Sequence, residues 1–397
     1  MFLLIFEIPI IHFKMNIDTK IFLKKKFKEF YWKNNIKSPK EIEKREFGIG
    51  TLESKIKVRH KSFKNERELN NFLKRDAPFF ISYSAAYYEF PENQPMSAKT
   101  WEGADLIFDL DVDMDFIEEE KFEKIKTETI NLMDFLIDDF GFKKNDIELN
   151  FSGNKGYHIH ISKPEVIKLG RDERLEIVDY ITGTGFNLEH HLSKEALPGI
   201  DLKERKEFRL RGSFTPVIKG PTADDVGWGK RAYDVALDFV SSDIERLKSV
   251  YGVKQKHAER LYKNRKFNLK ILMDGRWDGL IDFTKNMQQK IIEKYAIRLV
   301  GDTDRTVTID TTRLIRLPDS LHGSSGFIAK RIRNIEDFDP LVDSLAFGDD
   351  EITIDINEKI SKFKMNENIF GPFNKKSVKL PEYVAVYLLL KGRAEVV

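Results

Sequence analysis

The sequence predicts an α/β (α+β) fold: mixed sheets flanked by helices, with a mainly helical insertion. Three observations predict it. Residues 104–113, "ADLIFDLDVD", pass from an apolar run into strict alternation, which reads as a strand. Residues 118–140 read as helical, and Gly141 sits where a helix C-cap is expected. The strand "IELNFS" (147–152), a short glycine-containing loop and the strand "YHIHIS" (157–162) follow. Strand, helix and strand pair in that order suggest an α/β layer.

The other elements follow in order. Residues 18–35 read as an amphipathic helix carrying Phe22, Phe27, Phe30, Tyr31 and Trp32. Residues 46–62 look like a strand pair, and residues 65–76 like a helix that ends before Pro78. Residues 168–295 hold helical segments broken by Gly and Pro, with little strand signal. Strands return with "RTVTID" (305–310), "RLIRL" (313–317) and, after a His-Gly turn, "GFIAKRI" (326–332). The stretch "LPEYVAVYLLLKG" (380–392) is a short apolar helix. The expected division is an extension at 1–14, a core in two parts at 15–167 and 296–397, and a helical insertion at 168–295.

The chain has 397 residues, enough for one large domain or two ordinary ones. At 41% hydrophobic and 33% charged it is globular rather than disordered. The absence of cysteine excludes disulfides and thiolate zinc sites, and points to a reducing, cytosolic setting. With a net charge of +2, any electrostatic footprint must be local. Basic sets at 20–45, at Lys203, Arg205, Lys206, Arg209 and Arg211, and at 254–270 are either such footprints or solvated helix faces. The opening "MFLLIFEIPIIHFKM" has no basic residue before Lys14, contains Glu7 and Pro9, and is too short to span a bilayer. It reads as an extra strand, or as the product of a start placed upstream of Met15.

Three stretches carry chemistry. In "LIFDLDVDMD" (106–115), Asp109 and Asp111 stand two apart on a strand and so share a face. Carboxylates this close repel, and a bound divalent cation removes the cost; hard cations such as Mg²⁺ favour carboxylate oxygens. A solvent-facing acidic strand end is the bland alternative. An EF-hand is rejected, because Met114 stands where its loop needs Gly. In "SGNKGYHIH" (152–160), a Ser-Gly…Gly turn presents backbone N–H groups, Lys155 and His158 to an anion. In "DTDRTVTIDTTRLIRLPDSLHGSSG" (302–326), Asp302, Asp304 and Asp310 are acidic candidates, and Arg313, Arg316, Ser320 and His322 suit a triphosphate. No Walker A pattern is present. Together the three stretches suit two-metal nucleotidyl transfer.

The ordered set "FDLDVD", "SGNKGYH", "RLIRLPDSLHGSSG" and "LPEYVAVYLLLKG" resembles the small, catalytic subunit of archaeal and eukaryotic DNA primases, most of all the archaeal form, from about residue 17 to 397. The resemblance implies the archaeo-eukaryotic primase catalytic fold. It also implies a template-directed polymerase that starts chains from two nucleotides, makes RNA primers with some use of dNTPs, needs Mg²⁺ or Mn²⁺, and works with a primase large subunit on single-stranded DNA. Carried over by residue, Asp109 and Asp111 match the metal-binding pair and Asp304 the third carboxylate. Ser152, Gly153 and His158 match the nucleotide-binding turn, with Asn154 and Lys155 at its two usually basic positions. Arg316, Ser320 and His322 match the triphosphate-binding motif, and Arg45 in "KREFGIG" matches a basic residue near the active site. The family's usual Cys/His zinc knuckle has no counterpart here: the chain lacks Cys and residues 116–146 hold no His, so no zinc is expected. A stand-alone primase-polymerase of repair or of a mobile element would share the site without the large subunit. A degenerate RNA-binding module would not need all three carboxylates. A nuclease would not need Arg316 and His322.

Overall fold

A computed structural model describes residues 15–195, 217–298 and 306–397. The extension 1–14, the basic set Lys203–Arg211, Asp302 and Asp304 lie outside the described residues. The chain divides after Ile130, Phe142, Val178 and Arg298 into two compact units.

The first unit opens with α1 (Ile17–Lys33), whose N-terminus is closed by Asn16 accepting from the Thr19 amide at 2.7 Å. Its Leu23, Phe27, Phe30 and Tyr31 are buried, while Trp32 is exposed. Strands β1 (Phe47–Gly50) and β2 (Val58–Lys61) form the expected pair. Helix α2 (Glu66–Asp76) is capped by Asn65 and ends at Ala77, which is left-handed and precedes Pro78. Then come β3 (Phe80–Ser84), β4 (Ala86–Tyr88), β5 (Trp101–Ala104) and β6 (Leu106–Asp111). After helix α3 (Glu119–Asp134) follow β7 (Ile147–Phe151) and β8 (Gly156–Ile161).

Among the described residues, the second unit is helical apart from the antiparallel pair β9 (Ser193–Glu195) and β10 (Val217–Lys219). Its longest described helix, Gly227–Ser241, buries Trp228, Ala232, Val235, Ala236 and Phe239, and Arg231 bonds Asp139 at 2.7 Å. Returning to the first unit, β11 (Leu314–Arg316) and β12 (Arg331–Ile332) complete two four-stranded sheets, ordered β11-β3-β1-β2 and β12-β7-β8-β6. A three-stranded antiparallel sheet (Glu351–Ile356, Ser377–Pro381, Ala394–Val396) and the helix Glu382–Leu390 close the chain. Every residue of that helix is buried, which is why its sequence is apolar all round.

In the second of these sheets every residue of β8 is buried, and in β6 only Asp109 and Asp111 are not fully so. Burial on both faces explains the continuous apolar run. The antiparallel register sets Asp109 opposite His158, and His158 opposite Asn150; Asp111 lies opposite Gly156.

Two expectations need correction. "RTVTID" is not a strand: 306–309 are helical, and the Asp310 amide closes the turn on the Thr306 carbonyl at 2.8 Å. Its β-branched residues favour a strand by propensity, but burying Val307 and Thr308 in a helical turn overrides that weak bias. "GFIAKRI" keeps only Arg331–Ile332 as strand, with a single bridge from Ile328 to Leu321.

Candidate active site

The carboxylate pair sits at the end of β6. Asp109 Oδ1 and Asp111 Oδ1 are both buried, and among the described residues neither finds a hydrogen-bond donor. His158 Nε2 lies 3.3 Å from Asp109 Oδ1, close enough for charge pairing but misaligned for a bond. Burial pushes the Asp109 carboxyl up, but His158, then Arg313 and Lys55, outweigh it and hold it below the usual range. Asp111 has no such neighbour at contact distance. Burial first, and then the charge of Asp109, push it up to about 6. Two adjacent carboxylates, each with an unbonded buried oxygen, fit the donor set of a hard divalent cation.

Gly156 makes room for the pair. A Cβ there would stand 2.2 Å from Asp111 Oδ1 and 2.0 Å from the Leu110 carbonyl. The turn before it is organised by Ser152, whose Oγ accepts from the amides of Asn154 (3.3 Å), Lys155 (3.4 Å) and Gly156 (3.2 Å). Those amides face Ser152 and not an external anion, so Ser152 shapes the turn. Gly153 has φ +82°, and a Cβ on it would meet His322 Cβ at 3.0 Å. Its carbonyl accepts from the Ser325 hydroxyl, stitching this turn to residues 322–325.

His322 is buried, and its Nδ1 accepts from the Ser324 amide at 3.2 Å. That places the ring proton on Nε2. Burial, then Arg316, Lys55 and Lys391, keep the ring well below its ordinary pKa and so neutral. Arg316, on β11, bonds the Ile81 carbonyl at 3.2 Å and lies over the Phe80 ring at 4.9 Å. Among the described residues its buried Nε has no partner, and burial lowers the guanidinium to about 10, which leaves it charged at neutral pH. Ser320 is fully buried, and its hydroxyl donates to the Leu317 carbonyl at 2.7 Å.

Asp109, Asp111, Lys155, Arg316 and His322 all lie within charge range of Lys55, with His158 against Asp109 and Gly153 against His322. Asp304 lies outside the described residues, and among those described no group of three carboxylate or His ligands forms. Asp310 Oδ1 is taken by the Thr312 amide and hydroxyl at 2.8 and 2.7 Å. Arg45 is buried against Asp105 at 2.7 Å, donates to the Ser84 and Ala85 carbonyls, and stacks 3.5 Å from the Tyr87 ring centre. A guanidinium that fully used inside the fold is a clamp between elements. The sequence reading passed over Lys55 and Lys391, whose charges reach Asp111 and His322 respectively. Lys55 belongs to none of the quoted motifs, and Lys391 falls in one that reads only as an apolar helix.

A model of the family described as DNA primase small subunit matches residues 108–333. The chain is 35% identical to the DNA primase small subunit PriS of Methanococcoides burtonii, over 96% of this chain and 99% of that protein. It is 36% identical to PriS of Methanothrix thermoacetophila, over 96% and 100%, and 34% to PriS of Archaeoglobus fulgidus, over 95% and 98%. The chain belongs to the DNA primase small subunit family. Membership makes it a nucleotidyltransferase-type enzyme of a family associated with divalent metal. No described helix is long and apolar enough to cross a membrane.

The remaining two aspartates of "LIFDLDVDMD" are explained by position. β6 ends at Asp111, so Asp113 and Asp115 do not continue its face. Asp115 is held by Arg393 at 2.9 Å. For this primase family member, Asp115→Asn is expected to keep most synthesis, within a few-fold of wild type, because a surface ion pair contributes only ~0–1 kcal/mol. A steady-state synthesis assay checks this, and inactivity of a folded Asp115→Asn protein would show that the metal-binding pair is misassigned.

Proposed function

We propose that this protein is the catalytic subunit of a DNA primase, making short primers de novo on single-stranded DNA by template-directed nucleotidyl transfer. One observation carries the reading: two buried carboxylates with unbonded oxygens on one strand, beside a Ser-Gly turn tied to a turn bearing His322. Asp109 and Asp111 would hold Mg²⁺ or Mn²⁺, which would supply acidification of an attacking hydroxyl and charge compensation for a departing pyrophosphate. Asp304 is the proposed third ligand.

The chain's own groups bind and orient. Neutral His322 donates its Nε2 proton to a phosphate oxygen, a bond that does not depend on a charged ring. Arg316 supplies a fixed charge, pre-aimed by Phe80 and the Ile81 carbonyl. Lys155 adds a second cation next to Asp111. Ser152 and Ser320 hold the two turns in shape. The substrates are NTPs, with some use of dNTPs, and the partner is a primase large subunit.

The test is synthesis on unprimed single-stranded DNA with NTPs or dNTPs, with and without the large subunit. Products starting from two free nucleotides are expected. Extension of supplied primers alone would overturn de novo initiation. In the same assay, His322→Ala and Arg316→Ala should each raise the nucleotide KM by about 10- to 100-fold, the scale of a lost charge-assisted bond. Template affinity should stay unchanged. A loss of template affinity at unaltered nucleotide KM would remove both residues from the triphosphate site.

A further inference from the structure

The helix Glu382–Leu390 ends against the nucleotide turn. A Cβ on Gly326 would stand 2.9 Å from Val386 and 3.2 Å from Leu390, so the helix's last turn touches the 322–326 turn directly. Phe327 stacks on Tyr387 with ring centres 5.5 Å apart and planes 12° apart, and the Phe327 carbonyl accepts from the His322 amide at 2.9 Å. On the other side, Tyr387 Oη accepts from the Ile117 amide at 3.1 Å, and Arg393 grips Asp115 at 2.9 Å and Glu358 at 2.9 Å. Lys391 therefore leaves the helix between two fixed points: the His322 turn behind it, and the segment that follows the Asp109/Asp111 strand ahead of it.

At that position Lys391 is a cation without a counterion. Its aliphatic stem and ammonium lie along the Tyr387 ring, with Nζ 5.5 Å from the centroid. Among the described residues its ammonium has no hydrogen bond and no ion pair. The acidic charge that reaches it, Asp115, is already held by Arg393. The other charges that reach it are Arg393 and Lys155. Burial lowers the ammonium to about 8; Asp115 draws it back up, while Arg393 and Lys155 press it further down. Cations are gathered here against their own repulsion, next to a neutral His322 that offers a proton. A half-buried ammonium with no anion at contact distance is disposed to take one.

We propose that Lys391 is a further nucleotide-binding residue, whose ammonium binds a phosphate of the incoming nucleotide's triphosphate together with Lys155 and His322. This rests on the triphosphate reading of the His322 turn. It places the C-terminal helix, which the motifs mark only as an apolar segment, at the nucleotide. The helix is buried throughout, so it holds Lys391 rigidly, and Gly392 at φ +68° turns the chain away immediately after it.

The test uses the full chain with Lys391→Gln, Lys391→Arg and His322→Ala. Steady-state synthesis gives KM and kcat for ATP on an unprimed oligo(dT) template. Inorganic triphosphate serves as a competing probe, fluorescence anisotropy gives template affinity, and thermal unfolding checks the fold. Lys391→Gln is expected to raise the ATP KM about tenfold, weaken inhibition by triphosphate to the same degree, and leave template affinity unchanged, while Lys391→Arg recovers most of the loss. If His322→Ala raises KM and Lys391→Gln does not, the inference fails while the triphosphate site stands. If neither changes KM, both fail. A loss that Lys391→Arg does not recover makes Lys391 structural, and a loss confined to template affinity assigns it to the nucleic-acid backbone; either result overturns the proposal.

Discussion

Asp111→Asn should abolish primer synthesis and, in the metal-free protein near neutral pH, make the fold harder to unfold. The two effects have one cause. Asp111 Oδ1 is buried without a hydrogen bond, next to the Asp109 carboxylate. Its folded-state pKa is raised from 3.8 to about 6. A carboxyl raised on folding binds its proton more tightly in the folded state. Ionising it therefore costs stability that is missing above about pH 6 and recovered as pH falls through that value. At ~1.4 kcal/mol per pKa unit the shift corresponds to on the order of 2–3 kcal/mol. Asparagine removes the charge and the penalty, and with them a metal ligand. Urea unfolding of metal-free wild type and variant at about pH 7.5 checks the stability, with ΔG rising in the variant. Adding Mn²⁺ should stabilise the wild type and not the variant. A variant less stable than wild type without metal would show that Asp111 is held by contacts and not tolerated for function.

Arg45→Met should cost about 3–5 kcal/mol of stability, the usual consequence of leaving a buried charge unpaired. Asp105 would keep Tyr87 Oη at 2.7 Å but lose its cationic partner Arg45. The Ser84 and Ala85 carbonyls would lose their guanidinium donor, at 2.9 and 2.7 Å. Pairing the change with Asp105→Leu should recover part of the loss, because both charges then leave together. Chemical denaturation of both variants measures this. An Arg45→Met protein with wild-type stability and a raised nucleotide KM would return Arg45 to the active site.

The site's strand and turns were legible in the sequence because their constraints are local. Asp109 and Asp111 stand two apart on an apolar strand, and Gly153 and Gly156 mark places where a Cβ does not fit. The end of α2 was legible for the same reason, in Pro78. What escaped depends on partners far along the chain. The role of Asp115 is set by Arg393, 278 residues away. Arg45 carries a charge like any surface arginine, and only the burial of Asp105 makes it a clamp. Lys391 reads as a basic residue at a helix C-terminus, an ordinary preference. Its lack of a counterion is visible only in three dimensions. Strands β3, β4 and β5 and the C-terminal three-stranded sheet were passed over, being short segments whose pairing is non-local. "RTVTID" misled because its β-branched composition speaks for a strand while its packing asks for a helical turn.

The central claim is that Asp109 and Asp111 together hold a divalent cation at the nucleotide site. Mn²⁺ titration followed by electron paramagnetic resonance, in the presence of ATP, tests it without relying on turnover. At about pH 7.5 the wild type should bind Mn²⁺, and Asp109→Asn and Asp111→Asn should each weaken that binding by at least about tenfold. Wild-type affinity should also fall as pH drops through about 6, since the proton on Asp111 competes with the metal. Mn²⁺ affinity unchanged in both folded variants would contradict the account.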